Sequence, residues 1–112
     1  MSRDREYLLD AIQACTKILE FSQGFDRVQF EGDPKTQSSV LYQIAILGEI
    51  VNRLSPAYIA ANPEVPIDAI RGMRNRIIHE YKEVDLKVLW NVIETSIPEL
   101  RQLLENSRFP EA

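Results

Sequence analysis

The chain has 112 residues, a formal charge of −4 and a pI of about 5.0, with 45% hydrophobic and 27% charged side chains. That length suits one domain with one core, and the composition excludes a disordered or fibrous chain. The acidic balance also excludes a protein that grips nucleic acid over its whole surface, because such binding neutralises many phosphates. A local basic cleft is still open to it, since Arg53, Arg71, Arg74, Arg76 and Lys82 concentrate positive charge in one stretch of the chain.

The opening residues Met1 to Glu6 are charged and run straight into an amphipathic pattern, unlike a secretory leader. No apolar run approaches a bilayer span; Ile44 to Leu47 is cut short by Gly48 and Glu49. Cys15 is the single cysteine, so no internal disulfide is expected, and its apolar surroundings read as core. These features lead to the expectation of a cytoplasmic protein away from membranes.

Asp4 to Phe21 reads as a helix, with Leu8, Ile12, Cys15, Ile18 and Leu19 recurring at helical steps before Gly24 breaks it. Phe25 to Phe30 reads as a helical turn, closed by Gly32, Asp33 and Pro34. Lys35 to Leu54 is the strongest helix. Val40, Leu41, Ile44, Ala45, Leu47, Gly48 and Val51 form one broad stripe, which Tyr42, Ile46 and Ile50 extend around the cylinder. A helix apolar over most of its circumference is buried on more than one side, here against its own bundle and a second subunit. Gly48, unfavourable inside a helix by roughly 1 kcal/mol against Ala, predicts a close helix crossing. Glu49 is either a solvated edge or a carboxylate aimed into a polar cleft.

Ser55 and Pro56 carry the N-cap and first-turn chemistry of a short helix to Ala61. After a loop over Asn62 to Pro66, a helix is expected from about Ile67 to Tyr81. A last one runs from Val84 or Asp85 to Arg108, with Asp85 as N-cap and a bend at Pro98. No stretch alternates as a strand would. The expected fold is therefore all-α, an antiparallel four-helix bundle with short extra helices.

The chemistry concentrates between Arg71 and Tyr81. Ile70, Met73 and Ile77 share the core face, while Arg71, Asn75 and His79 follow one another at four-residue steps as a polar stripe. Arg74 and Tyr81 fall on the border between the two. Arg74 and His79 are five positions apart, roughly 140° on an ideal helix. Either the helix loosens before Tyr81, or a symmetry mate completes the site across a dimer interface.

Taken alone, these residues read either as solvated surface arginines with His79 a favourable charge at the helix C-terminus, or as groups suited to RNA cleavage without a metal. That reaction needs a base for the 2′-hydroxyl, an acid for the departing 5′-oxygen and a cation for the phosphorane. An imidazole such as His79 moves protons near neutral pH. The Arg74 guanidinium matches phosphate oxygens, Arg71, Arg76 and Lys82 can assist in holding RNA, and Asn75 can hold the imidazole or a phosphate oxygen. One His with no HExxH and no Cys pair supplies no adequate metal-ligand set, and there is no Gly-rich phosphate loop or nucleophile elbow. No cofactor is expected.

Arg74-Asn75-Arg76-Ile77-Ile78-His79 matches the HEPN motif, and Glu80-Tyr81 completes the Arg-x4-His-x-Tyr form that resembles the HepT toxins. Met1-Ser2-Arg3-Asp4, Lys35-Thr36-Gln37-Ser38, Leu47-Gly48-Glu49, Gly72-Met73-Arg74 and Val84-Asp85 resemble that family too, in order, so the resemblance covers nearly the whole chain. It implies a single HEPN (HepT-like) domain over residues 1–112, homodimeric, with Arg74 and His79 of both subunits lining a cleft. It also implies a metal-independent endoribonuclease, the toxin of a type VII pair. The partner would be an MntA-like minimal nucleotidyltransferase antitoxin that transfers AMP to Tyr81. The competing expectation is a non-catalytic HEPN module that binds or regulates a nucleotidyltransferase, with the polar stripe as a docking face.

Overall fold

The computed structural model describes residues 3–110, and all its regular elements are helical. The first helix, α1 (Asp4–Ser22), buries Leu8, Ala11, Ala14, Cys15 and Ile18 along one side. Gly24 then takes a φ of +82°, a conformation that L side chains resist, and turns the chain out of the helix. The short α2 (Arg27–Glu31) starts on a capping box: Asp26 Oδ1 accepts from Gln29 N at 2.8 Å and Gln29 Oε1 accepts from Asp26 N at 2.9 Å.

Pro34 opens α3 (Pro34–Val51), where its missing N–H costs nothing. This helix is central: it packs on α1 along one flank and on α5 (Ile67–Glu80) along the other. Val40, Ile44, Leu47 and Val51 are its innermost side chains. Between them in sequence, α4 (Pro56–Ala61) is capped by Ser55, whose Oγ accepts from Tyr58 N at 3.1 Å. The end of the chain forms α6 (Leu86–Asn91), a π-helical turn (Val92–Ser96) and α7 (Ile97–Glu105), and α7 lies against α1. The order of packing is thus α7, α1, α3, α5. The bundle measures 49 × 28 × 19 Å, its thinnest dimension about two helix diameters.

Two buried polar clamps tie the ends of this layer together. Asp4, 3% exposed, accepts from Ser55 N at 2.9 Å and Ser55 Oγ at 2.6 Å, joining the start of α1 to the cap of α4. Asn62, fully buried, donates to the Tyr58 and Arg108 carbonyls and accepts from Arg108 N at 2.8 Å, fastening the C-terminal segment to α4.

The long helix expected up to Arg108 is interrupted. Pro98 has no N–H to give the Glu94 carbonyl, so the regular α pattern cannot pass through this turn. The chain widens instead, and Ile97 N–H reaches back to the Val92 carbonyl. α3 ends at Val51 rather than Leu54, and α5 ends at Glu80, after which Tyr81–Glu83 tighten into a 3-10 turn. Asp85 caps α6 as expected, accepting from Lys87 N at 2.8 Å. Among the described residues no helix is long and apolar enough to cross a membrane.

Candidate active site

The site is built where α5 crosses the C-terminal half of α3. Ile67, Ile70 and Ile77 press the inner face of α5 into the core. Gly48 of α3 is buried there, and a Cβ built on it would overlap the Cβ and Cγ of Arg74. The absent side chain lets the stem of Arg74 lie directly on the α3 backbone. This is the close crossing that an unfavourable mid-helix glycine implies.

Arg74 is consequently held in place. Its Nη2 pairs with Glu49 Oε1, its Nη1 donates to Asn75 Oδ1 at 3.1 Å, and its side chain is 25% exposed. Its Nε is buried and meets no acceptor. An unmade hydrogen bond of this kind costs about 1–3 kcal/mol, and such groups concentrate where a structure serves function more than stability. One turn earlier Arg71 repeats the arrangement. Its Nε donates to Asn52 Oδ1 at 2.7 Å, and Nη1 lies 3.7 Å from Asp68. Glu49 stays on a solvated edge, its side chain half exposed, and is at the same time the anionic partner of Arg74.

The other expected residues are placed differently. His79 is exposed on the last turn of α5, and that helix stays α-helical through Glu80. The loosening that would bring His79 round to Arg74 does not occur. Tyr81, 59% exposed, opens the 3-10 turn, and the exposed Lys82 follows it. Among the described residues no hydrogen bond or ion pair ties His79, Tyr81 or Lys82 to the arginine group. Arg76 lies on the other flank of α5, 3.8 Å from Glu80, and lines an apolar cleft of about 460 Å³ with Ile70, Met73 and Ile97. The structure thus gathers Arg71, Arg74 and Asn75 with Glu49 and Asn52, and leaves Arg76 apart from them.

Asn52 is the residue that the sequence reading missed. Its signal is present in the spacing: two arginines three positions apart on α5, and two acceptors three positions apart in the last turn of the antiparallel α3 and its C-cap. The pairs 49–74 and 52–71 fall in one register. Chemically, the group offers fixed guanidinium forks for phosphate oxygens, with an imidazole one turn further along the same helix. Among the described residues no three His, Cys, Asp or Glu side chains cluster as a metal site.

Comparison with known proteins places the chain in a family. Residues 11–107 match the family model described as ribonuclease HepT-like. A protein of Thermococcus cleftensis named "Probable ribonuclease HepT" is 33% identical, over 93% of this chain and 94% of its own. Proteins named "Putative RNase" are similar as well. One from Caldanaerobacter subterraneus is 32% identical over 91% of both chains. One from Methanocaldococcus jannaschii is 27% identical over 84% of this chain and 78% of its own. No solved structure gave a significant match. With its helical bundle, its Arg-x4-His-x-Tyr segment running from α5 into the 3-10 turn and this near full-length match, the chain belongs to the ribonuclease HepT-like family.

Proposed function

We propose that this protein is a metal-independent endoribonuclease, the toxin of a HepT/MntA-like toxin–antitoxin pair, acting as a homodimer. The observation that carries the reading is the match of residues 11–107 to the HepT-like ribonuclease model, with Arg74 fixed and His79 exposed inside it. In this reading the 2′-oxygen of RNA loses its proton to His79 and attacks phosphorus. The 5′-oxygen leaves and takes a proton from the imidazolium of a second His79, and Arg74 faces the phosphorane charge. The products are a 2′,3′-cyclic phosphate and a free 5′-hydroxyl.

The requirement for two copies is supported by the geometry of α5. Arg74 and His79 project roughly 140° apart on an unbroken helix, so one chain does not converge them on one phosphate. The half-buried Leu41, Ala45 and Ile46 with the exposed Tyr42 leave an apolar strip on the outer side of α3, a surface suited to a second subunit. Tyr81 stands in the open at the end of α5, accessible to a nucleotidyltransferase partner. Transfer of AMP to its hydroxyl, with release of pyrophosphate from ATP, adds anionic charge beside a phosphate-binding surface and repels RNA.

A second reading, a docking module without catalysis, draws on one observation: Arg71, Arg74 and Arg76 each already face an acceptor on their own chain. Growth assays separate the two. Expression of the wild type should arrest growth, and Arg74→Ala or His79→Ala should relieve the arrest with the fold retained. Tyr81→Phe should stay toxic when the cognate antitoxin is present. Toxicity that survives both of the first changes removes the nuclease reading.

A further inference from the structure

We propose that Glu49, in the last turn of α3, and Asn52, the residue that caps that helix, are positioning residues that set the two arginines of α5 as a graded phosphate cradle. Arg74 would be held for the reacting phosphate and Arg71 for a neighbouring one. This inference rests on the nuclease reading above and adds to it the residues that aim its cations.

The two pairs share one register, Glu49 with Arg74 and Asn52 with Arg71, on antiparallel helices. They differ in charge. Arg74 meets a carboxylate and a side-chain amide and has its stem pressed on Gly48, so its fork has little freedom. Its charge is largely answered within the chain, so its contribution is orientation more than attraction. Arg71 meets only a neutral amide at hydrogen-bond distance; Asp68 is further off and its side chain is fully exposed, so water screens it. Arg71 therefore keeps more of its charge for binding.

The consequence is a division of effects. Loss of the Glu49 carboxylate frees the Arg74 fork while removing a negative charge beside incoming phosphate, so the chemical step slows while binding holds or tightens. Loss of the Asn52 amide frees Arg71, so binding weakens more than the chemical step. A residue of merely structural importance would lower both together.

The test uses a labelled single-stranded RNA oligonucleotide that the wild type cleaves, and its 2′-O-methyl copy, which cannot be cleaved, for affinity. Wild type, Glu49→Ala, Glu49→Gln, Asn52→Ala and Arg74→Ala are compared, with thermal unfolding to match their folds. Glu49→Ala should lower kcat about tenfold or more with equal or tighter binding of the methylated RNA. Glu49→Gln, which keeps an acceptor of the same shape, should recover most of that loss and stands in if the alanine variant unfolds. Asn52→Ala should weaken binding about threefold or more, with a smaller effect on kcat. If Arg74→Ala is inactive while the Glu49 and Asn52 variants cleave and bind within about twofold of wild type, the positioning roles are overturned and the nuclease reading stands. A wild type that cleaves no RNA overturns the nuclease reading itself, and this inference with it.

Discussion

Gly48 and Arg74 occupy each other's space: the stem of the arginine lies where a side chain on residue 48 would have to be. Gly→Ala inside a helix ordinarily stabilises by roughly 1 kcal/mol. Here the new Cβ would meet the Cβ and Cγ of Arg74, atoms fixed close to the α5 backbone, so the helices must separate. Gly48→Ala is expected to destabilise the fold by about 1–3 kcal/mol, measured by urea unfolding. A variant more stable than wild type would show that α5 does not sit as closely on α3 as described.

The Asp4 carboxylate and the Ser55 cap form one buried unit. Removing the carboxylate leaves Ser55 N–H without its acceptor and loosens the first turn of α4. Asp4→Ala should therefore destabilise by about 2–3 kcal/mol, read as a lower urea midpoint with an unchanged m-value. A loss no larger than about 0.5 kcal/mol, the usual range for an exposed surface change, would contradict this clamp.

Asn62 makes three hydrogen bonds that hold the C-terminal segment against α4. Asn62→Ala strands the backbone N–H of Arg108, so the segment from Ser107 to Phe109 should open first. Amide exchange should accelerate selectively at Arg108 and its neighbours, with the core of α3 unaffected. Unchanged exchange at Arg108 would contradict the clamp.

Burial pushes the Cys15 thiol up to about 12. It is fully buried and protonated in the folded protein, so a thiol reagent at pH 8 should modify it only after unfolding. The pH dependence follows from the sign of the shift. An unfolded thiol ionises from about pH 8.5 while the folded one does not. Its contribution to stability is complete below that pH and is lost as pH rises from there towards 12. Rapid labelling of the native protein at pH 8 would contradict this burial.

Much of the fold is legible in local pattern. The apolar steps of Leu8, Cys15 and Ile18, and of Val40, Ile44, Leu47 and Val51, announce two helices whose inner faces the structure buries. Gly48 announces a close crossing because nothing local favours it. What stays illegible is what a residue meets from another element. Glu49 could be placed on an edge but not paired, since its partner is set by the register of α5 on α3. Asn52 falls unremarked inside the helix expected to Leu54, and Asn62 reads as part of a loop; both take their roles from segments far along the chain. Pro98 signalled a disturbance in the last helix. Its form, a π turn upstream of the proline, depends on how the chain can widen while keeping Ile93 and Ile97 in the core.

The central claim is tested most directly by incubating purified wild type and His79→Ala with total RNA in EDTA, using wild type verified by mass to carry no AMP on Tyr81. The account predicts cleavage by the wild type alone, with 2′,3′-cyclic phosphate ends. Intact RNA in both reactions, or equal cleavage by both proteins, would contradict it.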